Sequence, residues 1–486
     1  MNTFKHKSLY AAVAGLGALA AAGTAQAVSV NPNGLGQVLI YPYYTVRTVA
    51  SGVAGIDAAY NSLLSVTNST GSAKAVKVRF LEGKNSREVL DFNLYLSPKD
   101  VWTAAVIPTT DGAGIFTADK SCTVPQVSSS STQPTPFVNY QFSGSNDDKA
   151  GTSLDRTREG YVEIIEMGDV VGSTATAATH VNGVPPCTLS ALQQPTAPSN
   201  TVPGSGGLFG SMTLINVLRG EDFGYDPTAL DGFSATAIWS EEGSIFPNLN
   251  FVNPKTSIVI AGSNVYITDW TGSSVGADPV SAVLMHNNVY NEFVLDASTK
   301  SQTDWVVTFP TKWAYYDFTT GVVGKLFQRN FVATGACDDV TLTQYDREER
   351  RVQTNTTFSP QPPTQTDSIC WEANVISFNG TNALGSTNVL KPQTNFANGW
   401  LAMDFKPTSV PAGKHQLVGG LTHIYNTKTG VPVPDAASAT FNGLPVIGFA
   451  AITFQNETLS IGPGAAIQSN YGGNFNHKVT TSVVTP

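Results

Sequence analysis

Charged side chains are scarce in this chain of 486 residues: Asp, Glu, Lys and Arg make up 13%, whereas soluble proteins average about 25%. Serine, threonine, asparagine and glycine supply most of the polarity instead, as is common in exported β proteins. The formal net charge is -9 at pH 7. An acidic chain repels phosphate backbones and anionic lipid, so we expect no nucleic acid among its partners.

Cysteine is also rare, and its four residues are Cys122, Cys187, Cys337 and Cys370. No CxxC or other close pair of thiols occurs, which argues against a zinc site. An even set in an exported chain favours disulfides, and three pairings are open. We favour Cys122 with Cys187 and Cys337 with Cys370, because each pair closes a segment rich in Pro, Ser and Thr. By the loop-entropy model each closure stabilises the fold by about 3 to 4 kcal/mol.

Long hydrophobic runs are missing after residue 27, so no transmembrane span is expected in the mature chain. Residues 1–27 themselves have the parts of a secretory signal peptide. These parts are Lys5 and Lys7 in a basic start, an apolar run at residues 9–22, and a cleavage site between Ala27 and Val28. The sequence therefore predicts export to the periplasm, the cell surface or the medium.

Short segments with alternating apolar residues dominate the rest of the chain. Val76, Val78 and Phe80, for example, alternate with Lys77 and Arg79, as in a strand with one apolar face. Glycine and proline mark the reversals between such segments. The sequence predicts a mainly β protein made of immunoglobulin-like antiparallel β-sandwich domains, with long Ser/Thr/Pro/Gly-rich loops and few short helices.

The strongest strand signal is TDWVVTF at residues 303–309. Trp305, Val307 and Phe309 fall on one side of the extended chain. Pro310 has no amide proton and ends the ladder. We expect this segment in a core or an interface.

The length of the chain indicates more than one core. Removal of 27 residues from 486 leaves 459, which suits two or three domains. We expect a signal peptide at 1–27, an N-terminal β-sandwich domain at 28–120, and a second β domain with long loops at 121–330. A C-terminal β region follows at 331–486, and it is free to pack into the second domain.

Three blocks of sequence support a resemblance to a known group of proteins. SREVLDFNLYLSPKDVW, TDWVVTFPTKWAYYD and GLPVIGFAAITF resemble an uncharacterised family of exported or cell-surface proteins of Gram-negative bacteria. The resemblance implies location and kinship, and it implies no activity and no catalytic residue.

One short motif carries a catalytic interpretation. Residues 272–276 match G-x-S-x-G, which would make Ser274 a hydrolase nucleophile. A nucleophile elbow needs a helix directly after the serine, and Asp278-Pro279 delays any helix here. No histidine nearby completes a triad. A loop is the favoured interpretation of this motif.

Calcium is the one cofactor that the sequence suggests. Asp222, Asp226 and Asp231 are close together in the chain, and exported β domains often tie loops with such oxygen ligands. The spacing does not match an EF-hand loop, so solvated turn carboxylates are favoured over a metal site.

Two aromatic clusters are candidates for a platform on which sugar rings stack. The favoured alternative for both clusters is packing in a core or between domains. They are Tyr41, Tyr43 and Tyr44, and Trp313, Tyr315 and Tyr316.

These features predict a secreted or cell-surface protein with a structural or adhesive role and without catalytic activity. Its expected partners are protein or carbohydrate surfaces. An extracellular hydrolase, or a carbohydrate-active or carbohydrate-binding protein, is the alternative, using Ser274 or carboxylates that the sequence does not identify. A second alternative is a self-assembling filament or layer subunit, in which an exposed edge strand pairs with a neighbouring copy.

Overall fold

The computed structural model describes residues 26–50, 57–193, 200–316, 326–351, 367–406, 409–462 and 465–486, without the side chains of 57 and 456–469. Most residues of the predicted signal peptide lie outside these ranges. Antiparallel β-strands dominate the described part of the chain, so the prediction of a mainly β, sandwich-type fold is confirmed.

Twelve strands precede the first α-helix in the described part of the chain. They are Ser29–Val30 (β1), Val38–Thr45 (β2), Thr48–Ala50 (β3), Asp57–Ala59 (β4), Asn61–Asn68 (β5), Ala73–Glu82 (β6), Glu88–Leu96 (β7), Val101–Pro108 (β8), Ala113–Phe116 (β9), Cys122–Val124 (β10), Thr135–Pro136 (β11) and Glu159–Val170 (β12).

Three short α-helices and nine strands form the middle of the chain. The helices are Gly172–Ala178 (α1), Leu189–Leu192 (α2) and Asp278–Leu284 (α3). The strands are Thr201–Val202 (β13), Leu208–Asn216 (β14), Glu221–Tyr225 (β15), Thr228–Asp231 (β16), Thr256–Ala261 (β17), Asn264–Asp269 (β18), Met285–His286 (β19), Asn288–Val294 (β20) and Gln302–Thr308 (β21).

The last fourteen strands complete the structure. They are Asp338–Asp346 (β22), Asp367–Ile369 (β23), Ala373–Ser377 (β24), Val389–Leu390 (β25), Asn398–Asp404 (β26), Gln416–Gly419 (β27), Thr422–Asn426 (β28), Pro432–Ala436 (β29), Ala439–Asn442 (β30), Leu444–Pro445 (β31), Ile447–Gly462 (β32), Ala465–Asn476 (β33), Lys478–Thr480 (β34) and Ser482–Val484 (β35). Short 3₁₀ turns lie at 140–142, 144–146, 154–158, 249–251, 312–315 and 378–380.

Two large sheets form the first sandwich. The eight-stranded sheet has the order β1-β16-β2-β12-β6-β7-β10, with β13 also paired to β12. The six-stranded sheet has the order β11-β9-β8-β5-β14-β15. Their facing side chains, such as Val78 and Ile164 from one sheet and Trp102 and Leu214 from the other, meet in the first core.

Smaller sheets carry the rest of the fold. The inner five-stranded sheet is β25-β24-β21-β32-β33, and the outer five-stranded sheet is β23-β22-β26-β20-β34. A four-stranded sheet, β17-β18-β28-β29, and a three-stranded sheet, β27-β30-β35, lie beside them. Two strand pairs, β3-β4 and β19-β31, complete the set. Antiparallel pairing prevails, and β24 with β25 is the one parallel pair among the strands of these sheets.

A second core lies on the other side of the eight-stranded and inner five-stranded sheets. In β21, Val306 belongs to the first core, while Trp305 and Val307 belong to the second. In β2, Leu39 lies in the first core and Ile40 in the second. Both faces of these strands are therefore buried, which explains their nearly continuous apolar sequences.

The sheets continue across both predicted domain boundaries. Strand β12 lies between β2 and β6, so the boundary at residue 120 separates neighbouring strands of one sheet. In the same way β21, before residue 330, pairs with β24 and β32 after it. The sheets are thus shared between segments that polar loops separate in the sequence.

Burial of both faces also encloses charged residues. Arg79 on β6 contacts Glu88 and Glu163 at 2.7 and 2.5 Å, and all three side chains are nearly inaccessible. The alternation in this strand suggests that Lys77 and Arg79 face water, yet both are buried. The second core covers their face of the sheet, and carboxylates on β7 and β12 neutralise them.

Both disulfides join the cysteines that the loop argument pairs. Cys122 and Cys187 are bonded at 2.10 Å, and Cys337 and Cys370 at 2.05 Å. The first bond fixes the end strand β10 to the segment after α1. Two disulfides indicate a chain that folds in an oxidising, non-cytoplasmic environment. None of the described helices has the length and apolar character that crossing a bilayer requires.

Candidate functional site

The outer five-stranded sheet presents aromatic side chains to solvent. Its neighbouring strands β22, β26 and β20 bury one set of side chains, including Phe293, Leu401 and Met403. Because side chains alternate along a strand, the other set points away from the core. This outward set contains Tyr290 and Trp400, and Trp400 is 39% exposed.

The strand register brings three rings into a row. Tyr345 on β22 lies directly opposite Trp400 on β26, and their rings stack with centroids 4.4 Å apart and planes 10° apart. Tyr290 on β20 continues the row, 6.3 Å from Trp400. The guanidinium of Arg351 lies 5.0 Å from the centroid of Tyr345. We call Tyr290, Trp400, Tyr345 and Arg351 the aromatic row.

The geometry of the aromatic row determines what it can contact. Trp400 stacks on Tyr345, and Arg351 lies over the same ring, so Tyr345 is already packed against side chains of the protein itself. A sugar ring binds by stacking on an open aromatic face, whereas ring edges and a guanidinium suit contacts with another protein. The exposed Glu292, opposite Trp400 in the sheet, adds a carboxylate beside the rings.

Ser274 lies on the surface, and no histidine in the described ranges is hydrogen-bonded to it. It occupies a bend after β18, and α3 begins four residues later, at Asp278. The serine that contacts Asp278 is its neighbour, Ser273, whose hydroxyl donates to that carboxylate. In the described part of the chain, each histidine has its hydrogen bonds elsewhere: His180 with Ser97, His286 with Thr481, His415 with Phe405 and Asp338, His423 with Asp435, and His477 with Asn291 and Val306.

His415 lies in a buried cluster of charged groups and is inaccessible to solvent. His415 contacts Asp338 at 3.1 Å, and Lys312 contacts the same carboxylate at 2.9 Å. Burial alone would raise the pKa of Asp338, yet the ammonium of Lys312 and the bond from His415 outweigh it and lower that pKa. All three side chains are at most 1% exposed. This cluster joins residues that are distant in the sequence, and its side chains are not accessible to solvent.

The three calcium candidates do not converge. Asp222 lies on β15, in the six-stranded sheet, whereas Asp231 ends β16, in the eight-stranded sheet. The chain crosses from one sheet to the other at Asp226, and this crossing separates the carboxylates. Among the described residues, no group of three or more His, Cys, Asp or Glu side chains is arranged to hold a metal ion. A shared calcium site is the less favoured interpretation of these residues, and this geometry gives it no support.

Both aromatic clusters that the sequence singles out belong mainly to the interior. Tyr41, Tyr43 and Tyr44 are 0% exposed in the first core, and Tyr315 is 4% exposed in the second. Packing is therefore the correct interpretation for these tyrosines. Strand β2 cannot offer a sugar-binding platform, because both of its faces are covered.

The predicted cleavage site lies at the start of the described structure. Val28 is 0% exposed, and its amide donates to the carbonyl of Thr256 at 2.9 Å. Ala27 is 9% exposed and packs close to Gly232. Residues 1–25 lie outside the described ranges, so cleavage between Ala27 and Val28 stays a prediction.

Sequence reasoning missed the aromatic row, because its members are far apart in the chain. Tyr290, Tyr345 and Trp400 lie on three strands that are not consecutive. The sequence of each strand does contain a weak signal, because an aromatic residue occupies an outward-facing position of the alternating apolar and polar pattern. Only the order of the strands and their register show that the three residues are neighbours.

The chain matches no family model, no curated protein and no solved structure.

Proposed function

We propose that this is an exported, cell-surface or secreted protein with a structural or adhesive role, and that the aromatic row is its contact with partner proteins. The observation that carries the proposal is the row of Tyr290, Trp400, Tyr345 and Arg351 on a sheet face where, in the described part of the chain, Trp400 stays 39% exposed. Trp, Tyr and Arg are the residues that dominate the energetics of protein interfaces.

The surroundings of the row also support contact with a protein. A large, partly exposed Trp is costly to leave in water, and a partner that covers it recovers the free energy of burying its apolar surface. Polar residues border the rings on the same sheet face, including Glu292 and Thr343. An apolar centre with a polar rim is the usual composition of a protein-binding patch.

The two disulfides support the proposed export. Such bonds persist outside the cytoplasm and are rare within it. The predicted signal peptide and the resemblance to exported proteins of Gram-negative bacteria agree with this location.

The proposal is tested by probing a protein array and a glycan array with the labelled protein and with its Trp400→Ala variant. We expect binding to array proteins that Trp400→Ala weakens by about tenfold, because the variant removes the centre of the row. Val418→Ala is the control, since Val418 is also an exposed apolar residue, on a different sheet, at 62% exposure against 39% for Trp400.

Two results would count against this function. Binding confined to glycans, with an effect of Trp400→Ala, would assign the row to carbohydrate recognition. Protein binding that Trp400→Ala and Val418→Ala leave equally strong would show that the row is not the contact.

A further inference from the structure

Strands β1 and β17 begin as neighbours and then separate. Val28, just before β1, forms a parallel bridge with Ser257. The amide of Val28 donates to Thr256, and the amide of Ile258 donates to Val28, both at 2.9 Å. Further along, Val30 and Ile260 do not pair, because the two strands diverge.

In the described part of the chain, this divergence leaves the backbone N–H and C=O groups of Val30 and Ile260 unpaired, and these groups face the gap between β1 and β17. Val28 points its backbone toward β17, and residues two apart in a strand point the same way, so Val30 does too. The neighbouring Asn31 instead bonds Ala229 of β16, as alternation requires. Ile258 points toward β1, and Ile260 therefore faces the gap from the other side. Both strands are the end strands of their sheets.

This gap widens into a cleft of about 1220 Å³. Its floor is apolar and buried, and it consists of Val283, Leu284, Val289, Val446, Ile447 and Phe449. Its rim is accessible and of mixed polarity: Val30 is 40% exposed, Ile260 52% and Val479 42%, and the polar Asn31, Asn33 and Thr480 also line the cleft. Val479 belongs to β34, the end strand of a third sheet.

The charged side chains that line the cleft are acidic. Asp226 and Asp231 line it, and its described lining residues include no Lys, Arg or Glu, although the exposed Lys478 lies between two of them, His477 and Val479. Two histidines also line it, and burial lowers the pKa of His286 and that of His477 to about 4. Both imidazoles are therefore neutral near pH 7, so the charge of the lining residues themselves comes from the two carboxylates.

We propose that this cleft binds an extended, mainly apolar peptide segment of a partner protein, carrying a cationic group, as an added strand between β1 and β17. Unpaired N–H and C=O groups on facing strand edges are satisfied by a peptide backbone and not by a hydrocarbon chain. Alternate side chains of the added strand bury on the apolar floor.

The carboxylates decide between the ligands that an apolar cleft accepts. A fatty acid or another anionic lipid would bring a negative charge beside Asp226 and Asp231, which is unfavourable. A Lys or Arg side chain at the end of the inserted strand gains from the same charges. The cleft is thus a second binding site, separate from the aromatic row in both location and ligand chemistry.

The test uses a fluorescent probe peptide of about nine residues, with alternating Val and Thr and a Lys at each end, and measures its anisotropy on titration with the protein. We expect saturable binding. A peptide with Glu in place of Lys is expected to bind about tenfold more weakly. A peptide N-methylated at alternate amides is expected not to bind, because it cannot complete the ladder.

Variants locate the binding. Ile260→Lys is expected to weaken the Lys peptide by about tenfold, since it places a cation at the rim. Val418→Lys is the matched control, because Val418 is also an exposed aliphatic residue on an end strand, β27. Asp226→Asn is expected to reduce the preference for the Lys peptide over the Glu peptide.

Three results would overturn the proposal: absence of saturable binding, equal binding of the N-methylated peptide, or equal effects of Ile260→Lys and Val418→Lys. Trp400→Ala is expected to leave peptide binding unchanged. The experiments therefore test the two proposals independently: the aromatic row can fail as a protein contact while the cleft still binds the peptide, and the reverse.

Discussion

At the scale of single residues, buried charged side chains of this protein hold the fold together through hydrogen bonds and ion pairs. Glu159 is 1% exposed and accepts hydrogen bonds from the side chains of Tyr43 and Arg47. It also accepts bonds from Ser386 and Thr387, more than two hundred residues away in the chain. Burial alone would raise the pKa of Glu159, but Arg47 and these bonds lower it. Such residues tie distant segments together.

The buried histidines give a pH-dependent prediction. Because the folded-state pKa of His286 and His477 is about 4, below the value of about 6.5 in an unfolded chain, the unfolded state binds more protons between these values. Their contribution to stability is complete above about pH 6.5 and is lost as the pH falls toward 4. We expect a doubly substituted protein, His286→Asn and His477→Gln, to lack this loss.

The measurement is urea unfolding of both proteins at several pH values between 7 and 4. The pH dependence of unfolding of the wild-type protein alone does not isolate the effect of the histidines, because burial raises the pKa of Glu163 and of Glu166 to about 7. These two carboxyls act in the opposite direction, favouring the folded state as the pH falls through the same range. A difference between the two proteins that stays constant with pH would contradict the prediction.

At the scale of one element, β21 is the strand that both cores share. It pairs with β24 on one side and β32 on the other, and its side chains alternate between the first and second cores. The alternating pattern of TDWVVTF predicts the strand and its burial. It does not show that the second face, with Val306, is also buried, because a layer on that side comes from remote parts of the chain.

Two tryptophans allow a matched prediction for such an element. Trp305 is 0% exposed, and its indole N–H donates to the carbonyl of Glu292 at 3.0 Å. We expect Trp305→Ala to lower the free energy of unfolding by about 3 to 5 kcal/mol, because it leaves a cavity in the second core. Trp400→Ala, on the surface, should lower it by about 1 kcal/mol, the value of a stacked pair. Urea unfolding of both variants measures the difference, and equal losses would refute it.

At the scale of the whole molecule, the sheets are shared between segments that are distant in sequence. The eight-stranded sheet combines strands from residues 29 to 231, and the inner five-stranded sheet separates the two cores together with it. Stability is therefore a property of the assembled layers. Self-assembly through an exposed edge strand stays a prediction.

The shared sheet predicts the behaviour of a fragment. Residues 28–120 contain β2 and β6 but lack β12, which pairs with both of them. We expect the isolated fragment to be unfolded, since its central strands would expose open edges and half of the first core. Far-UV circular dichroism with a thermal scan measures this, and residues 28–486 serve as the control. A cooperative transition of the fragment at the control's temperature would refute the prediction.

The sequence by itself determined the local structure: alternation gives the strands, glycine and proline give the turns, and an even set of cysteines gives the two disulfides. These signals act over a few residues, or over loops whose closure has a simple entropic cost. The tertiary structure alone decided the sheet order, the burial of Lys77 and Arg79, the separation of Asp222 from Asp231, and the meeting of Tyr290, Tyr345 and Trp400. Each of these depends on which strands become neighbours and in which register, and pairing between remote strands has no local signature in the chain.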